Sequence, residues 1–138
     1  MSQRNYRNVI TRFCTALRRK GMQPSQQWFM QDGATSHTAA ATLQYLEEQF
    51  GDNVISLKFS HEWSPKSPDL NPLDFFSWGH CKARLYKMRP QTRNDIKMAT
   101  ERIIQTISIE TCQSAIQQFK RRIEICHAQR GNHFEQLL

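Results

Sequence analysis

Pro65, Pro68 and Pro72 fall within eight positions. Each lacks an amide hydrogen and locks φ, so regular structure is ruled out up to about residue 71. The same run then supplies a helix start, with Asn71 suited to the cap and Pro72 to the first helical position. Asp74 falls at the third helical position, facing unpaired backbone amides. A carboxylate there caps the helix and is favoured by its dipole. The helix terminus also keeps the group ionised, which is compatible with a role as a metal ligand.

A second acid invites the same question. Trp28-Phe29-Met30 is a short apolar run between Gln26-Gln27 and Gln31, and it predicts a strand buried on both faces, as in a parallel sheet. Asp32 ends that strand and Gly33 permits the turn. Sites in open α/β sheets collect at the carboxyl ends of strands, although an isolated Asp-Gly is also a common turn. Two carboxylates at such a place suit a hard cation such as Mg²⁺, which takes oxygen ligands and keeps several waters. A pair of such ions activates a water and stabilises the leaving oxygen in phosphodiester chemistry.

Two longer stretches carry a family resemblance. Gln31-Asp32-Gly33-Ala34-Thr35-Ser36-His37-Thr38-Ala39 resembles the second-Asp motif of mariner-type DDE/D transposases. Trp63-Ser64-Pro65-Lys66-Ser67-Pro68-Asp69-Leu70-Asn71-Pro72-Leu73-Asp74 resembles the third-carboxylate motif of the same superfamily. The tail Arg130-Gly131-Asn132-His133-Phe134 is similar to the ends of arthropod members, so the resemblance spans roughly residues 25 to 138. It implies that Asp32 and Asp74 are catalytic and hold Mg²⁺ or Mn²⁺, and that Asp69 belongs to a structural loop. His37 belongs to the motif, but a single His after a strand more often packs or hydrogen-bonds than catalyses.

The fold implied is α/β and RNase H-like: a central sheet with helices around it. One truncated catalytic domain over residues 1–138 is expected, with about two parallel strands and about five helices. The first strands of that fold are expected to lie outside this chain. Residues 1–31 contain no Asp or Glu, so the first carboxylate of the triad has no candidate here. Between Asp32 and Asp74 lie 41 residues, more than in the best-known branches. An apolar strand edge left unpaired invites pairing. A homodimer, or a chain supplying the missing strands, is therefore an expected partner.

Charge is unevenly spread. The chain carries a net +7, with six bases and no acids in residues 1–20 and eleven bases against five acids in residues 75–138. Residues 21–74 instead hold seven acids and two bases. An acidic middle between basic flanks suits a metal centre beside a phosphate-binding surface, while ordinary solvated helix faces look the same. Lys82, Arg84 and Lys87, followed by Lys120, Arg121 and Arg122, are the candidate DNA contacts. No stretch is long and apolar enough for a membrane span. Cys14, Cys81, Cys112 and Cys126 form no CxxC pair, which reads as free thiols in a reducing compartment.

Along the chain, Tyr6, Val9, Ile10, Phe13 and Leu17 predict the inward stripe of a helix over residues 5–20, ended by Gly21 and Pro24. A second helix over 37–49 carries Leu43, Leu46 and Phe50 inward, with Thr35 or Ser36 as its cap. Asn53 to Phe59 is β-prone, and Trp63 is expected to anchor the proline-rich loop. From Pro72 a helix runs to about Lys87 with Phe75, Phe76 and Trp78 inward, Gly79 being its weak point. Thr92 and Asp95 open another, with Ile96, Ala99, Ile103 and Ile107 inward. A last helix, from about residue 110 to Arg130, turns Cys112, Ala115, Ile116, Phe119, Ile123 and Cys126 to one face.

Three functions compete. One is the catalytic part of a nuclear transposase that cuts and joins DNA at element ends; another is a catalytically dead remnant that still holds nucleic acid. The third is a non-functional fragment. With two carboxylates of three, little or no strand transfer is expected from these residues alone.

Overall fold

A computed structural model describes residues 1–63 and 67–138; Ser64, Pro65 and Lys66 of the proline-rich motif lie outside the described residues. The chain divides into two compact units, Met1–Lys66 and Ser67–Leu138.

The first unit opens with helix α1, Gln3–Arg19, whose N-cap Ser2 accepts the Asn5 N–H at 3.2 Å. Gly21, at φ +75°, closes it as Met22 N–H reaches back to Leu17 O at 3.0 Å. A positive φ costs glycine nothing, which makes it the preferred residue there. Strand β1, Phe29–Met30, pairs in parallel with β2, Val54–Ile55, placing Phe29 opposite Val54 and Met30 opposite Ile55. Helix α2, Ala40–Phe50, connects them. Tyr6, Ile10 and Cys14 of α1 bury against Leu46, Phe50 and Val54 to make the core.

Several expectations change here. Val9 and Phe13 are exposed, and Cys14 is buried in their place. The four-residue steps from Tyr6 to Ile10 to Cys14 keep to one face, while Val9 and Phe13 fall on its flank. Trp28 stands outside the strand pair, 59% exposed, with its ring edge-on to His61, so the apolar run is not buried on both faces. Neither Thr35 nor Ser36 caps α2: its N-cap is Ala39, without a side-chain bond, and Thr42 Oγ1 donates to Ser36 O instead. The β-prone run keeps only two residues in the strand, because Lys58 takes φ +72° and turns the chain. Trp63 is buried, as expected of an anchor.

The second unit begins with a 3-10 turn, Pro68–Leu70, then a π-helical turn, Leu73–Ser77, that runs directly into α3, Trp78–Met88. Gly79 does not interrupt it. Phe75 and Phe76 are partly buried, but Trp78 is half exposed, because the wider π turn rotates the residues after it relative to an α register. Helix α4, Arg93–Gln105, starts with the complete Thr92–Asp95 capping box. It buries Ala99 and Ile103, leaves Ile96 exposed and ends before Ile107. Helix α5, Ile109–Ala128, is capped by Ser108. Of its expected apolar face only Ala115 is fully buried, with Ile116 and Ile123 exposed. The turns it presents to Phe75 and Phe76 are those of Thr111, Ala115, Gln118 and Arg122, one step round the helix from the isoleucines. Gly131, at φ +78°, donates to Cys126 O at 2.9 Å beyond its end.

The chain is thus α/β and mostly helical, with a two-stranded parallel sheet. Among the described residues no helix is long and apolar enough to cross a membrane, and all four cysteines are free thiols.

Candidate metal-binding carboxylates

Asp32 lies just past the carboxyl end of β1, on the loop that leads into α2. Its side chain is half exposed. Oδ1 accepts the Ala34 N–H at 3.1 Å and lies 2.5 Å from His37 Nδ1. The bond to Ala34 is an Asx turn, the local device by which Asp reverses a chain. Gly33 has no positive φ, so the turn rests on the Asp32 side chain more than on glycine freedom. Among the described residues no hydrogen bond engages Oδ2, the oxygen left to meet a ligand.

Behind Asp32 stands a polar set that local patterns do not reveal. The His37 ring stacks on Tyr6 of α1, with centroids 4.0 Å apart and planes 27° from parallel. Tyr6 Oη donates to Gln31 Oε1 at 2.9 Å. Gln31, itself buried, donates through Nε2 to Ser56 Oγ at 2.8 Å and to His37 O at 3.1 Å. Burial pushes the Tyr6 phenol up to about 12, and the negative charge of Asp32 adds to that shift. Tyr6 and Ser56 belong to no motif, and Gln31 enters only as the residue that opens the Asp32 stretch. The available signal is that a tyrosine on a buried helix stripe needs a partner for its hydroxyl.

Asp74 belongs to the second unit. It is exposed in the π-helical turn. Its Oδ2 accepts the Asn71 side-chain amide at 2.8 Å, while Asn71 Oδ1 accepts the Leu73 N–H at 3.1 Å. Asn71 therefore caps the helix as expected, and Asp74 is held by the cap residue instead of by free amides. Arg122 of α5 donates to Asp69 O at 3.0 Å and lays its guanidinium over Phe75, 4.3 Å from the ring centroid. Both ends of the Asp69–Asp74 segment are thereby tied down.

The basic candidates divide. Lys82, Arg84 and Lys87 on α3 and Lys120 and Arg121 on α5 are exposed. Arg122 differs from them: it is partly buried, one guanidinium nitrogen donates to Asp69 O, the group lies over Phe75, and its Nε is buried without a hydrogen-bond partner among the described residues.

Asp32 and Asp74 supply hard oxygen donors, each with one oxygen unengaged among the described residues, which fits Mg²⁺ or Mn²⁺ better than a softer metal. Among the described residues no group of three or more His, Cys, Asp or Glu side chains is gathered for a metal ion. No protein-family model matches the chain, and no curated protein or solved structure is significantly similar to it.

Proposed function

We propose that this chain is part of the RNase H-like catalytic domain of a mariner-type DDE/D transposase, contributing the second and third carboxylates of its site. The observation that carries the reading is Asp32. It stands past the carboxyl end of a parallel strand, with one oxygen held by its own loop and the other open. The length and order of the two motifs support the same reading. The activity is metal-dependent cleavage and strand transfer of DNA at element ends, which places the protein in the nucleus.

When bound, divalent cations would activate the attacking water and stabilise the leaving oxygen. The protein's own residues do the rest. Asp32 and Asp74 present carboxylate oxygens, His37 and Asn71 hold those carboxylates, and the exposed bases of α3 and α5 bind the DNA backbone. A second reading, a remnant that holds nucleic acid without chemistry, is favoured by those exposed bases alone.

Manganese uptake, followed by the paramagnetic resonance of the free ion, separates the two. Uptake weakened by Asp32→Ala and by Asp74→Ala supports the transposase reading. Uptake indifferent to both, beside intact salt-dependent DNA binding, supports the remnant.

A further inference from the structure

We propose that Tyr6 is a positioning residue for Asp32, acting through the ring of His37. The proposal rests on Asp32 being a cation ligand, and its test separates the two ideas.

A half-exposed carboxylate on a loop turns freely unless something holds it. Here Ala34 N–H and His37 Nδ1 both take Oδ1, so Oδ2 is the oxygen presented outward. His37, however, lies in a turn and not in a regular element, with its N–H on Ala34 O at 2.8 Å. Its ring can orient Asp32 only if the ring itself is fixed. The stack on Tyr6 supplies that. Tyr6 is anchored in turn by burial on α1 and by its bond to Gln31, whose amide also holds the backbone carbonyl of His37. Tyr6, Gln31 and His37 thus close a loop of interactions in which both the backbone and the ring of His37 are set from α1. A group that orients a ligating side chain from behind is a recurrent feature of metal sites, and its loss weakens metal binding by about 10–100-fold.

A tyrosine that only filled the core would be replaceable by leucine without consequence for Asp32. That contrast defines the experiment. With ¹⁵N-histidine in the full chain, at a pH where the imidazole is neutral, His37 is expected to carry its proton on Nδ1, facing Asp32, and its ring protons are expected to be shifted upfield by Tyr6. Tyr6→Leu should abolish the upfield shift, weaken the tautomer preference and lower Mn²⁺ affinity about tenfold. Tyr6→Phe, which keeps the stack, should restore the tautomer preference and most of the affinity. An unchanged tautomer ratio in Tyr6→Leu overturns the proposal. If that variant does not fold, the wild-type spectrum decides: a His37 ring without upfield shift overturns it equally. A tautomer change in a chain that takes up no Mn²⁺ sustains the positioning role and removes the metal reading. Mn²⁺ uptake blind to Tyr6→Leu does the reverse.

Discussion

Arg122 lays its guanidinium 4.3 Å from the centroid of the Phe75 ring, and the same group donates to the carbonyl of Asp69. A residue that reads as one of three consecutive surface bases is instead the link between the last long helix and the turn that carries Asp74. A partly desolvated cation over an aromatic face contributes on the order of 1–2 kcal/mol, and a charged hydrogen bond about as much again.

Arg122→Ala is therefore expected to destabilise the second unit by about 2–4 kcal/mol. Arg121→Ala, at an exposed site, should stay within about 0.5 kcal/mol of the parent. Arg122→Lys should resemble the alanine variant, since an ammonium lacks the planar fork that stacks and donates together. Urea unfolding of the three variants checks this; a lysine variant as stable as wild type would contradict it.

The neighbouring bases should respond in the opposite way. Alanine at Lys82, Arg84, Lys87, Lys120 or Arg121 is expected to leave stability unchanged and to weaken DNA binding. The slope of log affinity against log salt should fall by about 0.9 for each phosphate no longer neutralised. Arg122→Lys should leave that slope alone. Fluorescence anisotropy with a short duplex over a salt series measures both, and a slope insensitive to all five positions would exclude these helices as the interface.

Tyr6 makes stability depend on pH in the alkaline range. Its phenol is pushed up to about 12 by burial first and by Asp32 second, against about 10 in an unfolded chain. Below the unfolded value both states keep the proton and the contribution is fully present. As pH rises from there to the folded value, the unfolded chain releases its proton while the folded one holds it, and stability is lost, by up to about 3 kcal/mol. Lysine titration is common to wild type and Tyr6→Phe, so their difference isolates the effect. The stability gap between them should shift against wild type across this window; a gap independent of pH would refute it.

The core of the first unit is small, and each of its members counts. Leu46 is fully buried among Tyr6, Ile10, Cys14, Phe50 and Val54. Leu46→Ala is expected to cost about 2–5 kcal/mol, a large part of what a unit of this size can hold. Loss of cooperative thermal unfolding is the expected readout, while Leu43→Ala, at a partly exposed position, should retain it.

Helix ends were legible because their causes are local. Gly21 stops α1 at positive φ, Thr92 and Asp95 form their box, and Asn71 caps the turn that contains Asp74. Each depends on residues within one turn of the chain, and that much the sequence determined by itself, together with the parallel strand–helix–strand order that puts Asp32 at a strand end. Tertiary structure decided which faces are covered. Cys14 replaced Phe13 in the core, Trp28 and Trp78 stayed exposed, and the isoleucines of α5 lie beside the buried face and not on it. Apolar period marks a stripe about a third of a helix wide; where the neighbour settles within that stripe depends on residues far apart in sequence. The same holds for the site. Tyr6 meets His37 across 31 positions and Arg122 reaches Asp69 across 53, and no local spacing encodes a pairing that exists only once the helices have packed.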